Sequence, residues 1–183
     1  MSAETFTTAM FLITAVIAAG VLINAVFPVV YTMAGTFQSS THASDQRLRT
    51  DFQIVTTLAN YYGGTTPGTV QVWMKNVGSA TISLSQIETS SDVFAGQDGN
   101  FARLTYSSNP GADGTWGTKL YDTNNNNYWD PGETLLITAY TTKVPAPPSL
   151  HLTSSGNMVY FQFILPDGIW RSTDFAVYDP AGS

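Results

Sequence analysis

Residues 10–33, MFLITAVIAAGVLINAVFPVVYTM, hold no charged side chain. At 1.5 Å of rise per residue, a helix of this length runs roughly 36 Å, enough to cross a hydrocarbon core about 30 Å thick. The flanks do not suit a secretory signal. Only Glu4 is charged ahead of the run, no basic residue precedes it, and the run is longer than a signal-peptide core. The stretch is read as a membrane-spanning helix, since burying it in a soluble protein would take a thick shell of other elements. Ala15, Ala18, Ala19 and Gly20 place small side chains where a second helix can approach closely, although Ala and Gly are also simply frequent in membrane helices. Pro28 removes an intrahelical bond and is expected to kink or weaken the helix. Thr14 and Asn24 can bond within it. Arg47 and Arg49, the nearest basic residues, weakly favour a cytoplasmic C-terminal part, but they lie at the limit of the window in which that rule works. The composition of that part favours the outside.

Composition narrows the function classes. The 183 residues include seven Lys or Arg and thirteen Asp or Glu, for a net charge of −6. Nucleic-acid binding needs a basic patch to meet phosphates, so it is not expected. Charged residues make up 11% of the chain, against roughly 25% in typical soluble domains. Thr, Ser, Asn, Gly and Tyr fill the difference, as in cell-surface proteins. There is no cysteine, hence no disulfide or thiolate chemistry. With only His42 and His151 as imidazoles, zinc sites of the usual kind are not expected.

Beyond the apolar run, residues 34–50 read as a polar continuation of the helix or a stalk. The pattern then changes to short segments rich in Val, Ile, Tyr, Phe and Thr, at 51–58, 69–77, 80–87, 101–106, 134–142, 158–165 and 174–179. Val70, Val72 and Met74 alternate with Gln71, Trp73 and Lys75. GGTTPG, NPGADG, PAPP and PDG supply the turns. The fold class is α+β: a long N-terminal hydrophobic, pilin-like helix followed by an all-β, immunoglobulin-like antiparallel sandwich. The expected division is 1–50 for helix and stalk and 51–183 for the β domain.

Residues 122–133, DTNNNNYWDPGE, carry oxygen side chains at loop positions 1, 3, 5, 9 and 12, namely Asp122, Asn124, Asn126, Asp130 and Glu133. The backbone of Tyr128 stands at position 7, so a twelve-residue loop of this kind can wrap calcium. Asn127 takes the place where a left-handed residue is wanted. The flanks read as strands, so this is no helix–loop–helix hand. The competing reading is an Asn-rich turn that closes on its own backbone, and both stand open.

No enzyme is expected. GxSxG, HExxH, P-loop and dinucleotide-binding patterns are all missing and the carboxylates are scattered. His42 has no partner that the sequence places beside it; His151 could in principle pair with an Asp, but a lone His in a β domain is far more often a surface or hydrogen-bonded residue.

An anchor helix, a stalk and a β-sandwich form the body plan of type IV pilin-like subunits. TDFQIV (50–55), VQVWMKNVG (70–78), DVFAGQDGNFARLTY (92–106), WDPGETLLIT (129–138) and FILPDGIWRSTDFAV (163–177) resemble archaellum proteins of the FlaF/FlaG family. DVFAGQDGNF and LPDGIWRSTDF are the most specific. The resemblance implies a non-enzymatic stator component outside the archaeal membrane, bracing the motor against the surface layer. It implies as partners a FlaF-like accessory protein, a surface-layer protein, further copies of the chain, and the membrane through the helix. The rival is an archaellin-type filament subunit. Against it, the chain begins MSAETFTTAM without a basic leader, so no prepilin-peptidase cleavage is expected, and no Asn-X-Ser/Thr sequon occurs. A low-charge face of Tyr61, Tyr62, Trp116, Tyr128, Trp129 and Trp170 is the expected interface, because Tyr and Trp bury large rigid area with a polar handle.

Overall fold

A computed structural model describes residues 3–146 and 158–178. Residues 1–45 and 46–183 form two compact units, so the division falls slightly before the expected one. His151 lies outside the described residues, as does the side chain of His42.

Helix α1 spans Ala3–Arg49, 47 residues, and includes the polar stretch read as a stalk. Its segment Ala3–Thr36 reaches a mean hydropathy of 2.4 and has no buried residue. The helix runs on through Pro28. Its hydroxyls are satisfied locally: Thr7 donates to the Ala3 carbonyl at 2.8 Å, Thr14 to Met10 at 2.8 Å, and Thr32 to Pro28 at 2.7 Å. Inward bonding of this kind removes polar cost in an apolar medium, where water cannot serve the hydroxyl.

The second unit holds β1 (Phe52–Asn60), β2 (Gly68–Asn76), β3 (Ile82–Ser83), α2 (Leu84–Ser90), β4 (Asp92–Gln97) and β5 (Asn100–Tyr106). It continues with β6 (Thr115–Tyr121), β7 (Tyr128–Trp129), β8 (Thr134–Thr141), β9 (Met158–Ile164) and β10 (Trp170–Ala176). Eight strands run in the order β1-β2-β8-β6-β5-β4-β9-β10, with β3 and β7 as a separate pair. Pairing is antiparallel except at β5–β6, where only Thr105↔Thr115 and Tyr106↔Trp116 align, in parallel. This short link divides the sheet into two four-stranded halves whose inner residues meet. Val70, Val72, Met74, Leu135 and Ile137 come from one half, and Val93, Ala95, Val159, Phe161 and Phe163 from the other, all fully buried. Phe163 joins the halves, 5.6 Å from Phe52 and 6.5 Å from Trp116 by ring centroid. The expected sandwich is present.

Three expectations are corrected. Residues 80–87 are not a strand: Ile82–Ser83 pair with β7, and the chain then turns helical, burying Ile87. Ile82 and Leu84 alternate as in a strand, whereas Leu84 and Ile87, three residues apart, share one helical face. Strands β4 and β6 were missed because glycines at 96 and 117 interrupt their apolar runs. Thirdly, Trp116 and Trp129 are core residues, 1% and 0% exposed, and cannot belong to an interaction face. Trp116 packs edge-on to Tyr106. The Trp129 indole N–H donates to the Glu133 carbonyl at 2.9 Å, which satisfies its one polar atom inside the core.

Candidate functional site

The 122–133 loop closes through its own donors. Asp122 Oδ1 accepts the backbone N–H of Asn124 at 3.1 Å and of Asn125 at 2.6 Å, and Oδ2 accepts that of Asn127 at 2.8 Å. Asn124 Oδ1 accepts from the Asn126 backbone and Asn126 Oδ1 from Tyr128, a run of Asx turns. Both amide nitrogens, of Asn124 and Asn126, donate to Asp130 Oδ2 at 2.9 and 2.8 Å. Asn125 and Asn127 sit at φ 57° and 61°, the left-handed region that Asn tolerates better than most residues. The DPGE end is a tight turn, with Glu133 N–H donating to the Asp130 carbonyl at 3.0 Å and Gly132 at φ 88°. The Glu133 carboxylate, nearly buried, accepts the backbone N–H of Thr123 at 2.8 Å and of Asp130 at 3.1 Å.

These bonds set the loop's titration. Desolvation pushes the Asp122 carboxyl upward, but four backbone N–H groups outweigh it and hold the carboxyl below its ordinary value. Asp130 is also held low, by Asn124, Asn126 and Thr81 side chains. Tyr128 pairs with Ser83 across β3 and β7. Among the described residues, no three His, Asp or Glu side chains converge as a metal-holding group.

Residues not singled out in the sequence tie this loop to the start of the β domain. The buried Asn76 side chain donates to the carbonyls of Ala80 at 2.8 Å and Trp129 at 2.9 Å, and accepts the Gly78 N–H at 3.0 Å. Its backbone N–H donates to Glu133 O, and its carbonyl accepts from Gly132. KNVGSA, 75–80, gave a turn signal in its Asn and Gly, but nothing in the one-dimensional pattern shows what the turn grips.

The other expected contacts are scattered. Tyr61 and Tyr62 follow the end of β1 and are exposed, as is Tyr128 on β7. Trp170 is exposed at the start of β10, whose second residue Arg171 pairs with Asp51 at the opposite end of β1. The surviving aromatics therefore form no single face. Ala15, Ala18, Ala19 and Gly20 are exposed along α1. At roughly 100° per residue the three alanines share an arc, while Gly20 turns away from it. Nothing lies within 4 Å of a Cβ at Gly20.

The two most family-specific stretches do come together. DVFAGQDGNF forms the β4–β5 hairpin and LPDGIWRSTDF the β9–β10 turn and strand, and β4 pairs with β9. On their outer face Phe101 stacks 4.5 Å from Tyr160 and 6.3 Å from Phe94. Gly96 makes room, since a Cβ there would lie 2.7 Å from the Phe101 Cα.

Comparison with known proteins completes the site's context. An uncharacterized protein of Archaeoglobus fulgidus is 25% identical over 137 residues, covering 75% of this chain and 80% of that one. The archaeal flagellum of Methanospirillum hungatei superposes with a TM-score of 0.59 at 14% identity, covering 95% of this chain and 93% of its subunit, which shows a shared fold. The archaellum periplasmic stator protein FlaG of Sulfolobus acidocaldarius matches at 24% identity with a TM-score of 0.46, over 69% of this chain and 99% of that one. The archaeal-type flagellin family matches residues 2–175, helix and sandwich alike, and the chain belongs to that family.

Proposed function

We propose that the protein is a non-enzymatic structural component of an archaellum, anchored by α1 and acting through the β domain outside the membrane to brace the motor against the surface layer. One observation carries the reading: a helix segment, Ala3–Thr36, with none of its residues buried, continues in the same chain into a sandwich with its own core. Such a helix calls for lipid or other helices around it, while the sandwich is finished and free to make contacts. FlaF-like and surface-layer proteins are the partners this role calls for. The test is electron microscopy and intact-mass spectrometry of protein from the producing cells. An uncleaved, unglycosylated chain retained in the envelope, and missing from sheared filaments, fits the bracing role. A chain that dominates long sheared filaments is the filament subunit instead.

Calcium belongs to the same proposal. An ion held by Asp122, Asn124, Asn126, Asp130, Glu133 and the Tyr128 carbonyl would first require the Asn124 and Asn126 amides to turn their oxygens inward. Millimolar calcium is then expected to raise the melting temperature by linkage. An unchanged melting temperature across calcium and chelator leaves the loop as a turn closed by its own amides.

A further inference from the structure

The chain leaves α1 through an arrangement that neither the fold nor the proposed role requires. Arg49 ends the helix, and its carbonyl accepts two backbone N–H groups, from Ser79 at 2.8 Å and Ala80 at 3.1 Å. Two residues on, the Asp51 carbonyl accepts two more, from Val77 at 3.0 Å and Gly78 at 2.9 Å. A helix end normally meets its orphan carbonyls with a left-handed glycine or water. Here a distant turn does so, pressed in so closely that a Cβ on Gly78 would lie 2.3 Å from Arg49 O and 2.5 Å from Asp51 N. The approach is backbone on backbone, so no side-chain rotation relieves it.

The turn is itself held from behind. Asn76 fixes it with three side-chain bonds, one of which reaches the Trp129 carbonyl. The Thr81 side chain lies beside Asp130 and helps to hold its carboxyl low. Trp129 in turn packs 5.9 Å from Phe52, the first residue of β1. Opposite, Arg171 pairs with Asp51 and lies over the Phe52 ring, 5.8 Å from its centroid. All these groups belong to residues 46–183.

We propose that turn 76–81, backed by the 122–133 loop, is a mechanical clamp on the chain at Arg49–Asp51. Tension arriving along the backbone meets four amide bonds before it reaches the first rung of the β1–β2 ladder, Phe52↔Asn76. The polar loop then has a role without any ion, because its Asx turns and buried Glu133 stiffen the block behind Asn76. The inference rests on the bracing role for its purpose, but its test uses the chain alone. A failed clamp leaves the bracing role standing, and a failed bracing role leaves the clamp measurable.

The experiment is amide hydrogen exchange on the full chain in nanodiscs, comparing the native protein with Gly78→Ala and Asn76→Asp. Gly78→Ala removes the close approach. Asn76→Asp keeps the shape and the acceptor for Gly78 but loses both donated bonds, and it serves if Gly78→Ala fails to fold. Either substitution is expected to speed exchange about tenfold or more at Val77 to Ala80 and together with them at Thr123 and Asn127, as coupled local opening does. Amides of β8 such as Ile137 should change little. Faster exchange confined to 77–80, with Thr123 and Asn127 unchanged, would overturn the coupling. Unchanged exchange at Ser79 and Ala80 would overturn the clamp itself.

Discussion

Phe11, Val16 and Tyr31 in α1 are 71%, 72% and 72% exposed, whereas Phe52, Phe161 and Phe163 in the sandwich are 0% exposed. The same kinds of side chain thus meet opposite fates within one chain. In the sandwich, strands alternate so that every second residue turns toward the facing half, and the hydrophobic term is spent inside the protein. In α1 the apolar residues run all around the helix, and the 3.6-residue period gathers no single stripe that one partner surface could cover. Its threonines bond back to their own helix. The β domain carries its own solvent-excluding core, whereas in the proposed role the helix takes its apolar surroundings from lipid or other helices.

That contrast can be broken in three places. The largest expected effect is Trp129→Ala, which opens a cavity beside Phe52 and removes one of the two N–H groups that the Glu133 carbonyl accepts. Truncating a buried aromatic of this size costs about 3–5 kcal/mol. Urea unfolding should show that loss in the β domain, with membrane association intact. Next comes Val21→Lys at the middle of the apolar segment. A lysine there costs about 3 kcal/mol on membrane insertion, so if α1 anchors the chain as proposed, fractionation should show a smaller share of protein in the membrane while the melting temperature of the β domain holds. A coupled loss in either experiment would mean that the two units are not energetically separate. The smallest effect is from pH. Asp122 and Asp130 are held below their ordinary value in the fold. Their contribution is therefore fully present above the unfolded carboxyl pKa of about 3.9 and is lost as pH falls through the lowered folded values. Thermal melts from pH 6 down to pH 2 should decline in that window, and Asp122→Asn should flatten the decline.

The sequence showed the helix because an uncharged run of membrane length has few other readings. It showed β1, β2, β8 and β9 because their inner and outer residues alternate or their β-branched and aromatic residues cluster. It concealed β4 and β6 because Gly96 and Gly117 make room for close neighbours, the β5 residue Phe101 and the loop residue Pro110 respectively, rather than forming turns. Trp116 and Trp129 misled for a related reason: local polarity around them, in GADGTWGT and NNYWDPGE, suggested a surface. Burial depends on which strand crosses behind, and that is long-range information. The loop's oxygen spacing was visible, and so was the chance that Asx turns would use those oxygens. The grip of Asn76 and Gly78 on Arg49 and Asp51 joins residues far apart in sequence, so no periodicity announces it.

The most direct test of the account is the thermal and urea unfolding of residues 46–183 alone beside the full chain in nanodiscs. Because the core and the Arg49 clamp both lie within that segment, it should unfold cooperatively at nearly the same midpoint as the β domain of the full chain. A segment that is unfolded, or whose midpoint drops far below that of the full chain, would contradict the claim that the sandwich stands without the helix.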